Sequence, residues 1–190
     1  MKRMRYSFLF ACFLLCHIGQ LQAQYYLTGI GTKWSDSFVE WEIFFADESD
    51  DSEYRGELKM KWPQQEDWTE WSYDWADQWG EIRLVWKNDP SRWQISGGGE
   101  NVTARRMWKE DDREWRVTDN SISLTFKTKW GNNRTQWLVR ETTYGTFRIL
   151  MNYGDDPREW IIYDNFDERV SPTLRMALVF LAIYNSSPRF

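Results

Sequence analysis

Four groups of residues in this 190-residue chain have types and spacings that could do chemistry. Acids and arginines recur in Asp89-Pro90-Ser91-Arg92, Asp111-Asp112-Arg113-Glu114 and Asp155-Asp156-Pro157-Arg158-Glu159. A pair of carboxylates across a cleft is what glycoside hydrolysis needs, which keeps a carboxylate-based hydrolase as one reading. Acids that return at the same place in successive segments read better as turn-formers, so no residue is assigned a catalytic role. The run Asp47-Glu48-Ser49-Asp50-Asp51-Ser52-Glu53 has the oxygen ligands calcium favours. It lacks the spaced ligand pattern of a calcium loop and reads as a solvated turn, so no metal and no cofactor is expected. Trp68, Trp71, Tyr73, Trp75 and Trp79 form the densest aromatic stretch. If their rings face solvent they could stack on a sugar or another flat apolar ligand; the alternation of Trp71, Tyr73 and Trp75 better suits the buried face of one strand. Arg105, Arg106, Lys109, Lys127 and Lys129 could attract anions, although lysines on exposed strands commonly serve solubility and discourage edge pairing.

What is missing narrows the chemistry further. Cys12, Cys16 and His17 all fall in the first 23 residues. That stretch has basic Lys2, Arg3 and Arg5, an apolar run from Tyr6 to Ile18, and Leu21-Gln22-Ala23 ending in a small residue. It reads as a signal peptide cleaved near Ala23, which places residues 24–190 in a secreted or periplasmic setting. The run is too short for a membrane span of about 20 residues, and a lipoprotein reading at Cys12 or Cys16 fits the spacing poorly. Residues 24–190 then contain no thiol or imidazole, which removes Ser-His-Asp and Cys-His catalysis and the ordinary zinc ligand sets. They carry 21 basic and 29 acidic residues, a net charge of −8 that disfavours nucleic acid as a partner. A small-molecule, glycan or protein partner stays open. Asn101-Val102-Thr103, Asn133-Arg134-Thr135 and Asn185-Ser186-Ser187 match the glycosylation sequon, a pattern of low specificity.

The elements that must position any site are set by an internal repeat. A Trp or Tyr is followed seven residues later by Trp in Trp34/Trp41, Trp86/Trp93, Trp108/Trp115, Trp130/Trp137 and Tyr153/Trp160, and the last four pairs begin 22, 22 and 23 residues apart. Apolar residues alternate before and after each pair, as in Ile82, Leu84, Trp86 or Phe147, Ile149, Met151, the signature of a half-buried strand. Between the aromatics lie Gly, Pro, Asn and Asp, which supply the backbone angles of a reversal. With a looser unit near Trp62, this predicts six hairpins and about twelve strands.

The C-terminal segment breaks the pattern. Ser171-Pro172 starts a helix well, as a cap followed by proline at the first helical position. Met176 to Tyr184 is nine residues without a polar one. A helix apolar on all sides must be buried on all sides, and a barrel of eleven or more strands can enclose one. The expected fold is therefore all-β with one helix: a single domain over 24–190, a closed antiparallel barrel of about twelve strands around a helix at about 172–185.

Six consecutive hairpins followed by Leu174-Arg175-Met176-Ala177-Leu178-Val179-Phe180-Leu181-Ala182-Ile183-Tyr184 resembles the tubby-like barrel superfamily, which includes tubby C-terminal domains, phospholipid scramblases and LURP-one-related proteins. The resemblance implies the barrel fold, and it alone raises membrane or lipid contact; the family's basic phosphoinositide-binding residues find no counterpart to align here. A propeller would need four strands per blade, leaving only three blades, and a two-sheet sandwich gives the apolar helix nowhere to be enclosed. The function expected is that of a non-enzymatic protein acting by binding or structure, with a carbohydrate-binding module using exposed Trp as the alternative.

Overall fold

The structure, a computed structural model, describes residues 25–49 and 52–188. Residues 1–24, with Cys12, Cys16 and His17 and the signal-peptide reading placed on them, lie outside the described residues. Among the described residues twelve strands occur in chain order: β1 Tyr25–Thr32, β2 Glu40–Asp47, β3 Glu53–Trp62, β4 Asp67–Trp75, β5 Gln78–Trp86, β6 Asp89–Gly97, β7 Glu100–Trp108, β8 Asp111–Thr118, β9 Ser123–Trp130, β10 Asn133–Thr142, β11 Gly145–Tyr153 and β12 Asp156–Phe166. Each pairs antiparallel with its sequence neighbours, and Gly29, Ile30 and Gly31 of β1 lie opposite Ile161, Trp160 and Glu159 of β12, which closes the barrel. The expected six-hairpin barrel is what the chain forms.

Period-two alternation builds the wall. Inward residues such as Ile43, Leu58, Ile82, Ile95, Val117, Phe126 and Ile149 are buried, while the outward face carries Arg55, Lys59, Arg83, Arg105, Arg116 and Arg140. Charges at such positions are unsuited to contact with hydrocarbon. The single α-helix among the described residues, α1 (Pro172–Ser186), fills the interior, with every residue from Thr173 to Asn185 buried. Its 15 residues span roughly 22 Å at 1.5 Å per residue, about the height that strands of this length give when tilted. Leu174, Met176, Leu178, Val179, Phe180, Leu181 and Ile183 are each at most 1% exposed. At about 1.5–3 kcal/mol per fully buried side chain, they make the helix part of the core, not an ornament on it.

The two ends of the barrel differ. At one end β4–β5 and β6–β7 reverse in two residues, Ala76-Asp77 (φ 51° and 56°) and Gly98-Gly99 (φ 56° and 82°). Both residues of each pair are left-handed, as a tight hairpin matched to strand twist requires. α1 enters here. Tyr73 lies opposite Gly80, which lies opposite Gly97. The Tyr73 ring occupies the room both glycines leave, since a Cβ on either would come within 2.1 Å of it. Its hydroxyl approaches Ser96 O (3.3 Å) and Thr173 Oγ1 (3.4 Å), joining wall to helix, and burial pushes the phenol up to about 12.

Arg175 is the one charged residue of α1. It is 2% exposed and uses all five of its guanidinium donor positions. Nε donates to Val170 O (3.0 Å), Nη1 to Tyr25 O (2.9 Å) and Asp164 Oδ2 (3.0 Å), and Nη2 to Phe166 O (3.1 Å) and Asp167 O (2.8 Å). Asp164 in turn accepts from Leu27 N (3.2 Å) and Phe166 N (3.3 Å). This pair therefore ties β1, β12 and the helix together where the β1–β12 ladder has run out.

Candidate functional site

The other end of the barrel is made of six hairpin tips built to one plan. The register shows why the sequence spacing is seven. In the Trp86 unit, Leu84 lies opposite Trp93 and Trp86 opposite Asp89, so two residues of β5 face four of β6. The same two-against-four mismatch occurs at Met60/Trp71 and Trp62/Asp67, Arg106/Trp115 and Trp108/Asp111, Thr128/Trp137 and Trp130/Asn133, and Met151/Trp160 and Tyr153/Asp156. The extra residues form a bulge, and a side-chain acceptor three or five positions after the first aromatic organises it. Asp67, Asp89, Asp111, Asn133 and Asp156 each accept from the N–H two residues on, at 3.0, 3.0, 3.0, 2.6 and 3.1 Å. Ser37 does the same for Val39 at 3.4 Å. Such Asx-type turns offer the backbone the hydrogen bonds the ladder lacks.

Each tip sends one aromatic in and one out. The second Trp of each unit, on every even-numbered strand, is at most 2% exposed. Trp41, Trp71, Trp115, Trp137 and Trp160 donate their indole N–H to the carbonyl three residues earlier, at 2.7–3.1 Å. Trp93 departs from the rule: its ring packs edge-on to Phe180 and Tyr184 (4.8 and 4.7 Å), and its N–H has no partner among the described residues. The first aromatic of each unit, Trp34, Trp62, Trp86, Trp108, Trp130 or Tyr153, is 49–65% exposed. Together these six form an aromatic collar around one end of the barrel. Trp34 and Trp108 are held by indole N–H donation to Glu40 and Glu114, both at 2.9 Å, and Lys129 Nζ lies 5.0 Å from the Trp130 ring centre.

The charge of this end is as uneven as its apolar surface. The residues between the two aromatics of each unit (35–40, 63–70, 87–92, 109–114, 131–136 and 154–159) hold thirteen Asp and Glu against six Lys and Arg, a net −7. Nearly all of the −8 carried by residues 24–190 therefore sits within the collar. An open cleft of about 750 Å³ runs between the tips of the Trp108, Trp130 and Tyr153 units, lined by Glu110, Asp112, Asp155, Arg113 and Arg134 among others. Asp112 bridges to Arg134 at 2.7 Å, and Arg134 also reaches Asn185 O at the end of α1 (2.9 Å). Hydrogen bonds from Thr69, Ser91, Arg113 and Arg158 hold Asp67, Asp89, Asp111 and Asp156 below the ordinary carboxylate range. These acids act as turn acceptors, whereas a general acid needs its pKa raised.

The Trp-dense stretch runs along β4 from the tip of the Trp62 unit to the opposite end of the barrel. Trp71, Tyr73 and Trp75 are 2, 1 and 1% exposed and point into the barrel, so no ligand in solvent meets their faces. Trp68 is half-buried with its ring 5.7 Å from Trp71. Trp79 is 62% exposed but stands opposite Asp74 beside the Ala76-Asp77 turn, at the end remote from the collar. The five are not brought together on one surface. In the acidic run, Asp47 caps the turn by accepting from Ser49 N (2.8 Å), and Asp50 and Asp51 lie outside the described residues. Among the described residues no group of three or more Asp, Glu, His or Cys is arranged to hold a metal. In the sequence the six collar aromatics stand out only as markers of the repeat. The signal that could have singled them out is that the two aromatics of each pair differ in their C-terminal neighbours: a turn after the first, a strand after the second.

Compared with known proteins, the chain matches no family model, no curated protein and no solved structure.

Proposed function

We propose that this chain is a non-enzymatic secreted or periplasmic protein of the tubby-like barrel type that acts by binding, and that the aromatic collar is its contact surface. One observation carries the reading: six large aromatic side chains, one per hairpin, stand half to two-thirds exposed at the same end of the molecule. Exposed aromatic surface collected in one place marks an interaction site more often than scattered apolar residues do. The filled interior supports a surface site over a lumenal one, because α1 occupies the space a lipocalin-type ligand would need. The twelve strands around a C-terminal helix agree with the tubby-like resemblance. Exposed Trp also favours a second reading, glycan binding, now at the collar and not at Trp71 or Trp75.

The test is a titration of three ligand chemistries, a basic peptide, a neutral β-glucan and zwitterionic phospholipid vesicles, followed by tryptophan emission. At least one should shift the emission of the native protein, and the triple variant Trp86→Ala/Trp108→Ala/Trp130→Ala should lose that shift while melting at the same temperature. Equal responses from both proteins, or silence across the panel, would overturn the proposal.

A further inference from the structure

We infer that the partner of the collar is cationic: a Lys- and Arg-rich polypeptide segment, gripped by its side chains lying over the collar rings between carboxylates. The inference rests on the collar being the contact surface and adds the chemistry of what it contacts. Three observations select this occupant. The tips that carry the rings hold a net −7, so a positively charged chain is drawn to this end, and a second copy of this protein presenting the same end is repelled. The rings stand apart, with no aromatic pair formed between any two of them among the described residues. Each ring therefore offers its own face, interleaved with acids and not merged into the continuous apolar patch that a hydrophobic interface uses.

The third observation is that the chain already solves this recognition problem internally. Arg148 lies 4.2 Å from the Tyr163 ring centre, Arg169 4.8 Å from Tyr144, and Lys129 5.0 Å from the collar's own Trp130. Cations over aromatic faces are favourable, best over Trp, and more so when partly desolvated. At Trp34 and Trp108 a Glu carboxylate receives the indole N–H, placing negative charge beside the ring that a cation would cover. The acidic cleft between the Trp108, Trp130 and Tyr153 tips gives room for a peptide backbone to pass, with Glu110 and Asp155 exposed on its walls. Six equivalent platforms suit an extended ligand with a repeated cationic side chain, since each added contact becomes intramolecular once the first is made.

The experiment uses residues 24–190 and a fluorescein-labelled peptide of about twelve alternating Arg and Gly residues, with an Asp-Gly peptide as control. Anisotropy should show saturable binding of the Arg peptide at about 50 mM salt, weakened roughly tenfold or more at about 500 mM as screening shortens the range of the charges. Trp86→Ala and Trp108→Ala should each weaken it about two- to tenfold, on the scale of single aromatic contacts, and Glu110→Lys/Asp155→Lys should weaken it further without changing the melting temperature. Binding that is indifferent to salt, or unchanged by the charge reversal, would overturn the cationic assignment. So would neutral β-glucan or vesicles shifting collar emission where the Arg peptide does not, an outcome that leaves the collar itself standing as the contact surface. If no ligand chemistry responds at all, the collar reading falls with it.

Discussion

Replacing Arg175 by Met, close in length and without charge, tests whether the Asp164–Arg175 pair is what fastens the helix to the barrel seam. The change removes five donors at once and leaves four carbonyls, those of Tyr25, Phe166, Asp167 and Val170, without them. It also leaves Asp164, whose side chain is 0% exposed, facing two backbone N–H groups and no cation. Removing one partner of a buried pair costs about 3–5 kcal/mol, chiefly because the other charge stays behind. For a domain of this size that is roughly 6–20 °C in melting temperature, a large part of a total stability of about 5–15 kcal/mol. The pH response identifies the cause. Burial pushes the Asp164 carboxyl up even beside Arg175, and without the guanidinium nothing but the two N–H groups opposes that rise. An acid whose folded pKa is raised costs stability above that pKa and regains it as pH falls through it. The gap between native protein and Arg175→Met should therefore be wider at about pH 8 than at about pH 5, measured by urea unfolding with near-ultraviolet circular dichroism. Asp164→Asn keeps an acceptor for Leu27 N but leaves the guanidinium buried without its anion, so it should also destabilise, and the double variant should lose less than the sum of the two. A loss below about 1 kcal/mol in Arg175→Met, or a gap that widens on acidification, would refute the latch.

Four further outcomes are set by the geometry. Gly80→Ala and Gly97→Ala should each destabilise by about 1–3 kcal/mol through overpacking against Tyr73, whereas Tyr73→Phe should cost less than about 1 kcal/mol because it forfeits only two long hydrogen bonds; unchanged urea midpoints in the glycine variants would show that the ring moves aside. Deleting residues 172–190 should abolish cooperative unfolding, since the seven large apolar side chains that α1 buries leave an empty lumen behind, and a truncated protein that still melted sharply would show the wall to be self-sufficient. The melting temperature should decline as pH drops below the ordinary Asp value of about 3.9, because Asp67, Asp89, Asp111 and Asp156 have lowered folded pKa values whose contribution is present above that value and lost beneath it; a melting temperature flat to about pH 2.5 would contradict this. Caesium ions should quench the exposed indoles more efficiently than iodide at equal concentration, given the net −7 around them, and the reverse order would place the acids elsewhere.

How much of this was legible depends on which physical constraint each residue reports. Strand alternation and the apolar run of α1 are direct consequences of burial, so the barrel and its plug could be read from period two and from nine residues without a polar one. The alternation of Trp71, Tyr73 and Trp75 likewise reports an inward face, and the structure places them there. The collar was not legible, because the two aromatics of a unit are alike in character and lie seven apart, or nine at Trp62/Trp71, an odd separation that sends one in and the other out only if the bulge is known. That bulge depends on a side-chain acceptor whose N–H partner lies two residues on, a contact composition does not announce. Arg175 was invisible for a different reason. A single charged residue in the first turn of an apolar helix looks like the end that reaches solvent, and only closure of β1 on β12 brings Asp164 and four backbone carbonyls to meet it inside. The seam is the one place in a meander where neighbours in space are far apart in the chain, so the residues that secure it cannot be found by reading along the repeat. The same closure that hides Arg175 gathers six separately encoded aromatics into one ring, and that joint placement, not any single tip, makes the surface a candidate for binding.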